Sequence, residues 1–240
     1  LLPEYIVDRV RGLLEYPRYY REMERDGFDA RYGTETAGIV EVGYGSLVGK
    51  KGEPLFRYQT ASTFEITQAI GSLLIRHRDF TFVDIGSGKG KVLIVAQEYG
   101  FRRSIGVEIS EELHRQAQQN IARLDTAAGA IELVCSDIED FELPDGPTLF
   151  YMYNPLSEPL LTRFLARVED SLRLRPRTVL FVYLNPVFGE VLDRAAFLRR
   201  VDTRTRWWSL YHSAPHPIRL RWTSAKPRPD VPRAGILIDD

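Results

Sequence analysis

The sequence has few of the residues that build covalent or metal-based sites. Its 240 residues include one cysteine and four histidines. A single cysteine, Cys135, rules out a disulfide framework within the chain and favours a reducing compartment. No close spacing of His, Cys and carboxylate residues resembles a metal site, so no metal is expected.

The sequence also lacks a charge excess and long apolar runs. The 32 basic and 33 acidic side chains give a net charge of −1, which gives no support for a nucleic-acid partner. No stretch approaches the roughly 20 apolar residues of a membrane span, and the first residues lack the basic start of a signal peptide. We therefore expect a cytoplasmic location, with no membrane and no nucleic acid as partner. The oligomeric state stays open.

The pattern of apolar residues divides the chain into two parts. Residues 1–60 predict a cap of short helices and Gly-rich loop, a possible lid, and residues 61–240 predict one α/β domain. Within that domain, apolar strand-like runs alternate with helical patterns, which predicts a doubly wound, mostly parallel sheet covered on both faces. The predicted strands are 81–85, 104–109, 131–135, 148–153 and 178–184, closed by an antiparallel pair from Arg199–Trp208 and Ile218–Trp222. The predicted helices are 63–77, 90–99, 111–124, 157–172 and 187–197.

The most informative motif is the turn that follows the first of these strands. Asp84 ends the strand, and glycines follow at 86, 88 and 90, as G-x-G-x-G. A dinucleotide fingerprint is G-x-G-x-x-G, and here Lys91 stands in place of its third glycine. A carboxylate at Asp84 would repel a pyrophosphate and attract an ammonium group. The turn therefore disfavours NAD and favours a cofactor with a cationic amino-acid portion.

Two further carboxylates end the next two predicted strands. Glu108 follows Gly86 by 22 residues, a place from which a carboxylate can accept hydrogen bonds from both ribose hydroxyls. Asp137 ends the third strand, where an acceptor suits the exocyclic amine of an adenine. The alternative for Asp137 is an Asx turn that caps the following segment.

Four motifs follow one another along the chain in a fixed order. They are Asp84-Ile-Gly-Ser-Gly-Lys-Gly, Gly106-Val-Glu108, Ser136-Asp137 and Tyr153-Asn154-Pro155. Together they resemble the motifs of the class I, Rossmann-like methyltransferases that use S-adenosylmethionine. The resemblance covers about residues 58–185 and implies a seven-stranded sheet whose last strand is antiparallel. It also implies that S-adenosylmethionine is the cofactor and S-adenosylhomocysteine the product. The implied cofactor contacts are Tyr58, Asp84, Gly86, Ser87, Gly88, Gly90, Glu108, Ile109, Asp137, Ile138 and Asn154.

A narrower resemblance connects the chain to a bacterial branch related to the non-SET histone-lysine methyltransferases. That branch has a Tyr-containing turn before its first helix, like Tyr58-Gln59-Thr60, and Asn-Pro-Phe after its fourth strand. Here Leu156 replaces that Phe, so the resemblance gives no basis for an aromatic wall over the acceptor at this position.

Methyl transfer is an in-line displacement in which the protein mainly aligns the nucleophile and excludes water. Asn154-Pro155 keeps two of the four elements of the D/N-P-P-Y/F motif of amino-group methyltransferases. We therefore expect a nitrogen of a protein or peptide side chain as acceptor, with Asn154, Tyr153 and His212 as catalytic candidates. Core packing is the alternative for Tyr153, and a surface or capping role is the alternative for His212. Lys89 and Lys91 are expected to be solvated.

Two other functions compete with this one. One is an O- or N-methyltransferase of a small-molecule natural product. The other is a non-catalytic methyltransferase-like module that binds cofactor or a partner protein without turnover.

Overall fold

The computed structural model describes residues 21–23, 25–40, 58–124, 131–203, 205, 207–213 and 220. Residues 1–20 and 41–57 of the predicted cap lie outside these residues, as does most of the chain after residue 213. The strands are β1 Ile39–Val40, β2 Tyr58–Gln59, β3 Thr81–Ile85, β4 Arg103–Glu108, β5 Ile131–Cys135, β6 Thr148–Tyr153, β7 Val179–Leu184, β8 Arg199–Val201 and β9 Trp208–His212. The helices are α1 Phe28–Tyr32, α2 Thr63–Gly71, α3 Lys91–Gln97, α4 Glu111–Ala122, α5 Glu158–Leu174 and α6 Gly189–Asp193, with a 3-10 turn at His77–Asp79.

Seven strands form one sheet in the order β5-β4-β3-β6-β7-β9-β8. The first five are parallel to one another, and β9 runs antiparallel to both of its neighbours. This confirms the predicted α/β fold with a mostly parallel seven-stranded sheet and an antiparallel last strand. The strand order reverses between β3 and β6, and such a reversal opens a crevice at the carboxyl ends of the strands.

Both faces of the sheet are covered, because its central strands are apolar at successive positions. All five residues of β3 and all six of β7 are buried. Phe82 and Tyr151 belong to the core on one face, whereas Val83 and Phe150 belong to the core on the other. The hydrophobic core therefore holds β3 and β6 rigidly, side by side, beneath the crevice.

Helix α2 begins at a capping box that fixes the chain just after β2. The Ser62 hydroxyl accepts a hydrogen bond from the Glu65 N–H, and the Glu65 carboxylate accepts one from the Ser62 N–H, at 2.8 Å. Ser62 is therefore the N-cap of α2. The helix ends at Gly71, six residues before the predicted end; a Cβ on Gly71 would lie 2.9 Å from the Tyr99 hydroxyl.

The predicted pairing of Arg199–Trp208 with Ile218–Trp222 differs from the strands that the structure shows. Both antiparallel strands, β8 and β9, come from the region 199–212, and within the predicted partner Ile218–Trp222 only Leu220 is described, in a bridge to Leu73. Every residue of β9 is buried, since this strand is inserted between β7 and β8. Helix α6 is also shorter than predicted, at five residues. In the part of the chain described, no helix is long and apolar enough to cross a membrane.

Candidate functional site: a pocket at the carboxyl ends of the central strands

A pocket of about 950 Å³, including its solvent-open mouth, lies in the crevice between β3 and β6. It brings together nine of the eleven predicted cofactor residues. They are Tyr58, Asp84, Gly86, Ser87, Glu108, Ile109, Asp137, Ile138 and Asn154. The other two, Gly88 and Gly90, belong to the same turn without lining the pocket.

The glycine turn is shaped by close contacts that side chains would prevent. A Cβ on Gly86 would lie 2.6 Å from the Pro155 Cβ, and one on Gly88 would lie 2.1 Å from the Tyr58 ring. Both glycines have positive φ, 73° and 52°, a region that L side chains rarely adopt. Gly90, with φ of 87°, precedes α3. The turn therefore brings Pro155 and Tyr58 against the backbone at the edge of the pocket.

Asp84 contributes a buried carboxylate to the pocket wall. The side chain is 2% exposed, and its Oδ2 has no hydrogen-bond partner among the described residues. Burial, and secondarily the charge of Glu108, raises the pKa of Asp84 well above its ordinary value. An ammonium group that donated hydrogen bonds to this carboxylate would relieve both effects. The arrangement suits the cationic amino-acid portion predicted from the sequence.

Glu108 connects the end of β4 to the glycine turn. Its Oε2 accepts a hydrogen bond from the Gly88 N–H at 2.8 Å, and its Oε1 accepts one from the Ser110 N–H at 2.9 Å. Burial raises the pKa of Glu108, while these backbone hydrogen bonds act in the opposite direction. A carboxylate has about four acceptor sites. Glu108 can therefore hold the turn and still accept hydrogen bonds from a ribose.

Asp137 forms the Asx turn that was considered as its alternative role, and it also lines the pocket. Its Oδ1 accepts a hydrogen bond from the Glu139 N–H at 2.9 Å, which is the Asx turn. The residue nevertheless lines the pocket beside Ile138, as does Ile109, which directly follows the neighbouring strand β4. The turn fixes the carboxylate at the β5 side of the pocket, and the two isoleucines supply an apolar surface on which a flat ring can lie.

Asn154 adopts a left-handed backbone conformation immediately after β6, with φ of 50°. The Tyr183 hydroxyl donates a hydrogen bond to the Asn154 Oδ1 at 2.7 Å, and the Phe188 N–H donates one to the Tyr183 oxygen at 3.3 Å. This chain of hydrogen bonds fixes the Asn154 amide. Sequence analysis missed Tyr183, because a tyrosine inside a buried strand has the same pattern as a core residue.

The two other residues predicted to act in catalysis lie in different places. Tyr153 is half-buried and lines the pocket. His212 pairs with Leu180, whereas the pocket end of β7 is at Leu184, which pairs with Trp208. Four strand positions, roughly 13 Å, separate the two ends. The geometry does not support the predicted role of His212 as a general base. Leu156 also lines the pocket, so the position at which the related branch has Phe is aliphatic here.

Tyr58 is held from two sides. Its hydroxyl donates a hydrogen bond to the Thr36 carbonyl at 2.6 Å, and its ring packs on Gly88. The Lys89 Nζ lies 5.4 Å from the ring centroid and donates a hydrogen bond to the Ala37 carbonyl at 3.0 Å. The segment before β1 therefore fixes a pocket residue.

The expectation that Lys91 is solvated was wrong. The side chain is 2% exposed, and its Nζ lies 2.5 Å from the Asp26 carboxylate. Asp26 also accepts hydrogen bonds from Thr63 at the start of α2. A buried ion pair of this kind is strongly destabilised when one partner is removed. Lys91 therefore anchors the N-terminal segment to the domain.

The pocket fits the adenosyl cofactor that the sequence predicts. Three buried polar atoms in its wall have no hydrogen-bond partner within the described ranges: Asp84 Oδ2, Ser87 Oγ and the Tyr151 hydroxyl. Such atoms are rare in folded proteins unless a ligand or water satisfies them. In the described part of the chain, no group of three or more His, Cys, Asp or Glu residues has the arrangement of a metal site.

Comparison with known proteins agrees with this geometry. Residues 82–174 match a family described as a methyltransferase domain. No curated protein matches the chain.

Several solved structures are similar to the chain at low identity. A ribosomal protein L11 methylase from Lactobacillus delbrueckii subsp. bulgaricus is 18% identical, with 64% of this chain and 78% of that chain covered and a TM-score of 0.45. A tRNA methyltransferase from Aquifex aeolicus is 18% identical, with coverages of 69% and 72% and a TM-score of 0.46. Mitomycin 7-O-methyltransferase is 14% identical with a TM-score of 0.46, and 66% of this chain aligns with only 54% of that one.

These three proteins are named for different acceptors: a ribosomal protein, a tRNA and mitomycin. The ordered motifs, the sheet order and the family match agree on the domain itself. Residues 82–174 are thus similar to a methyltransferase domain, and the seven-stranded sheet that contains them has the strand order of the class I methyltransferase fold.

Proposed function

We propose that the protein transfers the methyl group of S-adenosylmethionine to a nitrogen nucleophile in the side chain of a protein or peptide. The observation that carries this proposal is the Asn154 amide, which lines the pocket with its oxygen oriented by the Tyr183 hydroxyl. An amide oxygen has two lone pairs. The second can accept a hydrogen bond from an N–H of the acceptor.

The cofactor would be held by residues from three strand ends. Asp84 suits the ammonium group, Glu108 the ribose hydroxyls and Asp137 the adenine amine, with the glycine turn against the chain between them. When bound, S-adenosylmethionine supplies a methyl group on a positively charged sulfur, already activated for displacement. The residues of the chain therefore have to bind, orient and keep water out.

Asn154 and Pro155 would position the acceptor. Pro155 packs against Gly86, so the strand end after β6 touches the glycine turn directly. Asn154, one residue earlier, therefore stands at the boundary between the cofactor half of the pocket and the remainder. A hydrogen bond from the acceptor to Asn154 would aim the nitrogen lone pair along the line of displacement.

The residues of the pocket favour nitrogen over oxygen as the acceptor atom. Among the described lining residues there is no histidine, lysine or cysteine. An alcohol needs a base to remove its proton, whereas an amine that has lost a proton to water attacks without further help. A pocket that offers the Asn154 amide oxygen as a hydrogen-bond acceptor, and that lacks these bases, suits an amine as the nucleophile.

A protein acceptor is supported by the branch resemblance and by exposed apolar side chains at the pocket end of the sheet. Phe64, 41% exposed, and Trp207, 57% exposed, lie with ring centroids 6.4 Å apart. Phe64 comes three residues after Ala61, which lines the pocket. Aromatic side chains of this kind are common where proteins bind other proteins.

The test is a transfer assay with S-adenosylmethionine labelled in its methyl group, incubated with a cell extract separated into protein, nucleic-acid and small-molecule fractions. We expect label in the protein fraction, stable to mild alkali as N-methyl groups are, and lost with Asn154→Ala. Label in nucleic acid or small molecules, or alkali-labile label, would contradict the proposed acceptor. If S-adenosylhomocysteine binds while no fraction is labelled, the protein is a non-catalytic module.

A further inference from the structure

The Tyr151 hydroxyl is a buried polar group in the pocket wall whose purpose the sequence does not reveal. Tyr151 lies on β6, is 1% exposed and lines the pocket. Its hydroxyl has no hydrogen-bond partner in the part of the chain that the structure describes. From the sequence alone, this tyrosine is expected to be core.

A core role does not account for the hydroxyl. A buried hydroxyl without a partner is destabilising, and a phenylalanine would fill the same space without that cost. Other buried tyrosines of the same sheet are satisfied. The Tyr183 hydroxyl donates to Asn154 at 2.7 Å, and the Tyr211 hydroxyl donates to Asp193 at 2.9 Å. Tyr151 is the exception, and it is the one of these three tyrosines that lines the pocket. This difference points to a ligand as the missing partner of its hydroxyl.

The neighbour of Tyr151 indicates the chemistry of that ligand. Asp84 is its register partner on the adjacent parallel strand. Neighbouring strands lie about 4.8 Å apart, and register partners point to the same face. A carboxylate oxygen and a hydroxyl, both unpartnered, therefore meet at one place in the wall. A ligand carboxylate here would be repelled by Asp84, whereas an ammonium group has three N–H donors and a positive charge.

We propose that the Asp84 carboxylate and the Tyr151 hydroxyl oxygen together accept hydrogen bonds from the α-ammonium group of the cofactor. The assignment rests on the cofactor pocket proposed above and adds a residue to it. Burial, followed by the charges of Asp84 and Glu65, raises the pKa of Tyr151 well above its ordinary value. The group is thus a neutral hydroxyl at pH 7, which offers its oxygen lone pairs to the ammonium.

The experiment compares three ligands on wild type and Tyr151→Phe by titration calorimetry. S-adenosylhomocysteine and its decarboxylated form keep the ammonium, and 5′-methylthioadenosine lacks the whole amino-acid end. We expect Tyr151→Phe to weaken the first two about tenfold or more, as for a hydrogen bond to a charged group, and to leave the third unchanged. Without ligand, the variant should melt at the same temperature as wild type or higher.

Tyr211→Phe is the matched control, because it removes a hydroxyl that is satisfied and lies outside the pocket lining. This control should melt at a lower temperature and bind all three ligands as wild type does. The two variants make the same chemical change, so they separate a ligand-binding hydroxyl from a structural one by opposite effects on stability and affinity.

Each other outcome overturns the assignment. Unchanged affinity of Tyr151→Phe for S-adenosylhomocysteine would remove Tyr151 from the site. Equal weakening of 5′-methylthioadenosine would indicate general damage to the pocket, and an unaffected decarboxylated ligand would place the hydroxyl on the carboxylate. A variant that fails to fold would show that the hydroxyl is structural. Absence of S-adenosylhomocysteine binding to wild type would instead remove the cofactor pocket itself.

Discussion

The two halves of the pocket are built in different ways. On the side of β3, β4 and β5, the functional groups are carboxylates at strand ends. Two of them are hydrogen-bonded to backbone N–H groups, and the third, Asp84, has an Oδ2 without a hydrogen-bond partner among the described residues. On the side of β6 and β7, the functional group is an amide, oriented through the side chain of Tyr183. The first half is organised to receive a charged ligand, and the second is organised to aim a neutral acceptor.

The halves meet where Pro155 packs on Gly86. Substitutions on the side of β3, β4 and β5 should therefore alter cofactor binding. Substitutions on the side of β6 and β7 should alter the rate of methyl transfer alone. The predictions below test that separation.

The largest effect is expected from Asp84→Asn, which removes the negative charge and keeps the shape of the side chain. An ammonium group would lose its charge partner in a buried site, a loss of about 3–5 kcal/mol. Affinity for S-adenosylhomocysteine should fall more than 100-fold in calorimetry. The ligand-free variant should be at least as stable as wild type in urea, because a buried, unpartnered carboxylate has been removed. Affinity close to wild type would contradict the role of Asp84.

A smaller effect is expected from Asn154→Ala, in the other half. The turnover number should fall about 10- to 100-fold, because the variant loses the hydrogen bond that aligns the acceptor. Affinity for S-adenosylhomocysteine should change little. Radiometric turnover measured beside calorimetry separates the two quantities. A parallel loss of cofactor affinity would show that the halves are not separable at this residue.

Tyr183→Phe should have a milder effect of the same kind. It keeps the buried ring and removes the hydroxyl that orients Asn154, so the turnover number should fall about threefold to tenfold, as for one neutral hydrogen bond. Because Tyr183 acts through Asn154, the double variant with Asn154→Ala should be no slower than Asn154→Ala alone. Additive losses in this double-mutant cycle would argue for an independent role of Tyr183.

The smallest effect is expected from pH. The pKa of Asp84 is raised well above 3.8 in the folded protein. Between 3.8 and that raised value the folded state binds more protons than the unfolded state, so the contribution of Asp84 to stability is full at low pH and is lost as pH rises through this window. An ammonium needs the ionised form, so binding of S-adenosylhomocysteine should strengthen as pH rises and should release protons.

Calorimetry in buffers of different ionisation enthalpy measures the released protons directly. Asp84→Asn should release fewer protons than wild type. Identical proton release in the two proteins would assign the titration to another group.

The sequence predicted the pocket residues correctly where they belong to a motif of residues close together in the chain. The glycine turn, Asp84 before it and the carboxylates at the next two strand ends follow from local patterns, and all three carboxylates line the pocket. Prediction from the sequence was weak where contacts join distant segments. The Tyr183 hydrogen bond spans 29 residues, and the Lys91 ion pair with Asp26 spans 65, so neither leaves a local signal.

The errors in the last strands have the same origin. Residues 208–212 form a buried strand that lies between β7 and β8. Insertion of the last strand into the sheet buries both of its faces, so the polar and apolar alternation of an edge strand is absent. His212 was predicted as a base because the sequence does not show which end of β9 lies at the pocket. In the structure, His212 lies at the other end.

The most direct test is a crystal structure of the complex with S-adenosylhomocysteine. The account predicts that the ammonium lies within about 3 Å of Asp84 Oδ2, the ribose on Glu108 and the adenine beside Asp137. The sulfur should face Asn154 across the contact between Pro155 and Gly86. A ligand bound in this pocket with its sulfur directed away from Asn154, or with its ammonium away from Asp84, would contradict the division of the pocket into a cofactor half and an acceptor half.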